Sequence, residues 1–140
     1  MGFHTFQHVA GGDIRTCRFV KLSASANNTV LEADANEAVI GISTDATRDA
    51  PQEGSSALAA ADTEVVSITP FNGDPCLLEI GSGGCAAGDI LKSDADGKGV
   101  VCASTGTTVQ NIGAIALSAY AAGEFGMVIP CRNYFRPALT

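Results

Sequence analysis

Tryptophan is absent from this 140-residue chain, and six Phe and two Tyr supply all its aromatic rings. Charge is sparse as well: Asp, Glu, Lys and Arg make up 16% of the residues, where about 25% is usual in globular domains. Basic residues are the scarcer kind, eight against fifteen acids, which leaves a net charge of −7. A nucleic-acid-binding surface needs a concentrated basic footprint to neutralise phosphates. The densest basic group, Arg15, Arg18 and Lys21, is too thin for that role. Binding to an anionic membrane surface is disfavoured for the same reason. No apolar run approaches the roughly 20 residues that cross a bilayer. The opening stretch MGFHTFQHVAGGD has neither a basic segment nor a continuous apolar one, so no secretory signal is expected. Phe6 stands where an N-myristoylation motif requires Ser or Thr.

Reactive constellations are missing too. The only histidines, His4 and His8, fall in the N-terminal arm, and a His carried on an arm is a poor general base for a nucleophile unless the arm docks back. The sequence therefore predicts no enzyme. Cysteine occurs five times, at 17, 76, 85, 102 and 131. The odd count without a secretory signal points to reduced thiols acting as small buried hydrophobes. His4, His8 and Cys17 match no recognised zinc spacing. Asp94-x-Asp96-x-Lys98-Gly99 begins like a calcium loop, but a cationic Lys98 cannot coordinate the ion. Thr105 also stands where the bidentate Glu of such a loop belongs. Gly81-Ser82-Gly83-Gly84 leads into a strand instead of a helix and has no Lys-Ser/Thr pair, so it does not read as a phosphate loop. No metal and no cofactor are expected.

What the chain does have is a 46% hydrophobic content and sixteen glycines, arranged as short apolar runs between turns. Strands are expected at residues 15–22, 30–32, 39–43, 64–71, 76–80, 89–93, from 100, 112–117 and 124–131. The turn Asp94 to Gly99 between two of them combines Asp, which bonds its own backbone, with Gly, which takes positive φ. Residues 45–62 are ambiguous, with Ser55 to Ala61 able to form one helical turn. The fold class is all-β: a small antiparallel β-barrel or sandwich with little helix. Residues 1–14 read as an N-terminal arm, suiting neither a long helix nor a long strand, ahead of a single β domain over 15–140. The order of elements also recurs. Phe19–Ser23 matches Asp89–Ser93, Ile40–Ile42 matches Ile112–Ala114, and Glu64–Pro70 matches Glu124–Pro130. This predicts a pseudo-twofold internal repeat, with half repeats 15–71 and 85–131.

The progression Ala87-Gly88-Asp89-Ile90-Leu91-Lys92-Ser93-Asp94-Ala95-Asp96-Gly97-Lys98, then Ile112-Gly113-Ala114-Ile115-Ala116-Leu117, then Ala121-Ala122-Gly123-Glu124 resembles the phage capsid cement (head decoration) proteins. That resemblance implies a small barrel-like protein assembling as a homotrimer on the outside of an icosahedral head. It would sit at threefold and quasi-threefold positions and bridge subunits of the major capsid protein. The chain would thus be made in the host cytoplasm and end in the virion, with no nucleic-acid or membrane partner. The scarce aromatics cluster at the two ends, where aromatic anchors would dominate a contact. Candidate capsid or trimer contacts are Phe3, His4 and Phe6 in the arm, and Tyr134, Phe135 and Arg136 in the tail. Two other classes remain open: a virion fibre or adhesin-type module, and a small-ligand-binding β-barrel, which would need a deep apolar pocket with convergent polar groups.

Overall fold

In the computed structural model, residues 6–46, 58–71 and 74–135 are described. Every regular element among them is a strand: β1 (Phe6–Ala10), β2 (Ile14–Arg15), β3 (Phe19–Leu22), β4 (Thr29–Glu32), β5 (Gly41–Ser43), β6 (Leu58–Ala60), β7 (Val65–Pro70), β8 (Cys76–Glu79), β9 (Ile90–Ser93), β10 (Gly99–Val101), β11 (Gln110–Ala116) and β12 (Phe125–Phe135). The protein is all-β, as the short apolar runs and frequent turns imply.

The first sheet is a closed barrel in the order β1-β4-β3-β5-β7. Its closure is a parallel pairing of β1 with β4, Val9 opposite Thr29 and Ala10 opposite Val30. The second sheet runs β10-β9-β11-β12-β8. Its outer strands meet through a single parallel bridge, Ile80 to Gly99. The two orders are one topology used twice. Hairpin β3/β4 corresponds to β9/β10, β3/β5 to β9/β11, β5/β7 to β11/β12, and β1/β7 to β8/β12. The small β2/β6 pair has its counterpart in the bridge Cys85–Tyr120. The repeated pairings thus begin at Phe6 and at Cys76, ahead of residues 15 and 85, where sequence matching starts them.

The turn entering β7 shows how closely the halves agree. Ala61 N–H donates to Glu64 Oε1 at 2.8 Å, and Ala121 N–H to Glu124 Oε1 at 2.6 Å. Ala10 N–H reaches Glu64 O, and Ile80 N–H reaches Glu124 O, both at 2.8 Å. Each turn needs one residue at positive φ: Gly123 at 87° in the second half, Thr63 at 73° in the first. Gly takes that region without a steric penalty, whereas a β-branched residue is strained there.

Each half buries its own interior. Ala10, Ile14, Val20, Val30, Ala60, Val66 and Ile68 pack inside the first barrel. A second cluster holds Leu78, Ile80, Leu91, Ala114, Ala116 and Val128, and it also takes Phe19, Ala33, Val39 and Ile42 from the first half. Phe19 crosses the seam. A Cβ on Gly113 would lie 2.6 Å from its ring, so only glycine lets the ring approach β11.

Four local expectations change. Phe6–Ala10 is not an arm: β1 pairs with β7 through four residues and closes the barrel, while Ile14 is fully buried. The expected strand 15–22 is split into β2 and β3, because Cys17 takes φ 56° and turns the backbone. Leu58–Ala60 is strand β6 and not helical, since Ile14 and Arg15 offer it a pairing edge; residues 55–57 lie outside the described residues. Residues 132–135, expected as a tail beyond the 124–131 strand, continue β12, because β11 extends to pair Asn111 with Tyr134 and Gln110 with Phe135.

Candidate interaction surface

The seam between the halves carries a cluster of interlocked charged side chains. Arg18, placed by the turn at Cys17, has a side chain only 6% exposed. It donates from Nη2 to Glu79 Oε1 at 2.9 Å and from Nη1 to Asp96 O at 2.8 Å. Lys98 Nζ lies 3.1 Å from the other Glu79 oxygen. Arg15 pairs with Glu32 at 2.8 Å and touches the same Asp96 carbonyl at 3.4 Å. Burial raises the Glu79 pKa, but hydrogen bonds from Lys98 and Arg18 outweigh that and hold it below the ordinary carboxylate value. The Asp94–Gly99 turn is therefore clamped against the first half. Asp94 Oδ1 accepts from the backbone N–H groups of Asp96 and Lys98, at 2.8 and 2.9 Å, which is how this turn uses its acids. Elsewhere on the seam, Asn36 donates to Val109 O at 2.7 Å and accepts from Asn111 N–H at 2.9 Å. These contacts hold the two halves in one arrangement.

The thiols are poor nucleophiles. Burial pushes Cys17 and Cys76 up to about 12 and Cys102 up to about 11, and raises Cys85 and Cys131 too. His8 lies half-buried in β1 opposite Val66. Among the described residues no group of three or more His, Cys, Asp or Glu is placed to hold a metal.

Two clefts open where the halves meet. One, of about 260 Å³, lies between Ala38 and Val39 of the first half and Asn111, Ile112, Arg132, Asn133 and Tyr134 of the second. The other, of about 490 Å³, has Ser43, Thr44, Asp45 and Thr69 on one side and Pro75, Cys76, Leu77 and Met127 on the other. Beside it Phe125 (51% exposed), Met127 and Leu117 present apolar side chains to solvent.

Of the residues named from sequence, Tyr134 is 70% exposed and lines the smaller cleft. Phe6 is in β1 opposite Ile68, and Phe135 ends β12 opposite Gln110. Phe3, His4 and Arg136 lie outside the described residues. Sequence reasoning missed Arg132, Phe125, Met127 and Leu117. A signal existed for two of these: in Phe125-Gly126-Met127-Val128 apolar residues occupy the outward positions as well as the inward one.

No protein-family description and no curated sequence matches this chain. Among solved structures it is similar to the head fiber gp8.5 N base of bacteriophage phi29. The TM-score is 0.62 at 13% identity, over 95% of this chain and 98% of that one. The likeness is one of fold, and it extends across both halves.

Proposed function

We propose that this chain is a structural protein of a phage virion, without enzymatic activity, that decorates and stabilises the outside of an icosahedral head. It acts as a homotrimer at threefold and quasi-threefold positions and bridges neighbouring subunits of the major capsid protein. The observation carrying this reading is a fold shared, nearly end to end, with a phage head fiber base. The Gly88–Gly123 pattern that resembles the cement proteins supports it independently. A protein that binds only the assembled shell stabilises it by mass action, and bridging makes the second contact effectively intramolecular. Many copies then add modest contacts into a large effect. The clamped seam suits this role, because a preorganised surface loses little conformational entropy on binding.

A second reading has an observation of its own. The solved neighbour is the base of a fibre, so this chain could instead seat a projecting fibre on the head. Imaging undecorated capsids mixed with the purified protein separates the two. Trimeric density at threefold positions supports the decoration reading, and a single projecting feature at other positions supports the fibre base. Absence of any added density overturns both. In solution the decoration reading expects light scattering to give three times the 14.2 kDa chain mass, and a monomer counts against it.

A further inference from the structure

Among the described residues, each lysine and arginine but one is held by the chain itself. Arg15 pairs with Glu32, Arg18 and Lys98 with Glu79, and Lys21 with Asp34 and Glu37, while Lys92 donates to Gln110 Oε1 at 2.6 Å. Arg132 is the exception. It is exposed on β12 and lines the 260 Å³ cleft beside Tyr134, in a chain whose net charge is −7. A second, independent feature coincides with it. Strand β8 accompanies β12 only as far as Cys76 opposite Val128, while β12 runs on to Phe135. Beyond Val128, β11 is its one partner among the described strands. An open strand edge offers backbone N–H and C=O groups to an incoming extended chain.

We propose that this end of β12, Cys131–Phe135, docks an extended segment of a partner protein by strand addition. The segment places one carboxylate on Arg132 and lays an apolar side chain against Tyr134, two residues on and on the same face of β12. The inference rests on the head-surface reading above, and names the chemistry of the partner. Its occupant follows from charge and size. A single free guanidinium matches a single carboxylate, bidentately where the geometry allows. A run of acids would be repelled by the net negative chain. The cleft falls short of the ~300 Å³ at which small-molecule pockets begin, but it accepts a side chain or two from a strand lying across it.

The probe is a fluorescent peptide alternating Val and Thr around one central Glu. Controls carry Lys in place of that Glu, or Pro at alternate positions to block strand pairing. Anisotropy against the full-length protein should show the Glu peptide binding at least tenfold more tightly than either control. Arg132→Ala should lose about tenfold, and Arg132→Glu should reverse the preference towards the Lys peptide. Tyr134→Ala should weaken all versions. Both side chains are exposed, and unchanged circular dichroism would confirm that the variants fold. Equal binding of all peptides, or of none, overturns the proposal. So does a change of oligomeric mass in Arg132→Glu, which would make a second copy of this chain the occupant. Capsid decoration separates the two inferences. Equal decoration by wild type and Arg132→Glu sinks the docking site and leaves the head-surface reading standing. Failure of the wild type to decorate sinks that reading, and the peptide assay still decides the site.

Discussion

At the scale of single residues, the two halves solve one packing problem in opposite ways. The first barrel places Ala60 beside Val66, whereas the second has Tyr120 and Gly126 at the corresponding positions. A Cβ on Gly126 would lie 2.4 Å from the Tyr120 ring. Gly126→Val should therefore destabilise the protein by about 1–3 kcal/mol through overpacking. Adding Tyr120→Ala should recover most of that loss, and thermal unfolding of the single and double variants is the check. Thr63 invites the reverse change. Thr63→Gly relieves its positive φ and should gain up to about 1 kcal/mol, less the added entropy of the unfolded chain. Glu79 gives a pH dependence. Its folded pKa lies below the ordinary 4.5, so its contribution is fully present above the unfolded value and is lost as pH falls through the folded one. At neutral pH, Glu79→Gln should cost about 3 kcal/mol by leaving the buried Arg18 without its countercharge. Denaturant titrations should show the gap between the two proteins narrowing below pH 4.5.

At the scale of elements, β1 and β12 matter most. Deleting residues 2–12 removes β1 and with it both the four-residue pairing to β7 and the parallel closure onto β4. That variant should lose cooperative unfolding by circular dichroism. A test of Phe3 and His4 as capsid contacts must therefore stop short of β1 and remove residues 2–5 alone. Strand β12 is the longest, and it serves both sides of the molecule. Its first part fills the second core with Val128, and its last part carries Arg132 and Tyr134 at the open edge.

At the scale of the whole molecule, the two like halves form one structure and not two independent units. Phe19, Ala33, Val39 and Ile42 belong to the second cluster, and the Arg18–Glu79–Lys98 group ties the seam. Calorimetry should accordingly show one transition, with calorimetric and van't Hoff enthalpies in agreement. Two resolved transitions would mean that the seam is weaker than its contacts imply. A rigid pair of like halves also gives a protein of this size a broad, fixed face for a partner surface.

Local chemistry determined a large share of this protein from sequence alone. Short apolar runs punctuated by Gly, Asp and Pro specify strands and turns within a few residues. The hairpin at Asp94–Gly99, the Glu-initiated strand entries and the recurrence of elements were legible for that reason. Tertiary structure alone decided the closure of β1 onto β4, the break at Cys17, the exchange of Tyr120 and Gly126 for Ala60 and Val66, and the isolation of Arg132. Each depends on groups distant along the chain: Arg18 finds Glu79 61 residues away, and Asn36 finds Asn111 75 residues away. A residue's own type sets what it can bond. Only the fold sets which partner arrives, and which side chain is left with none.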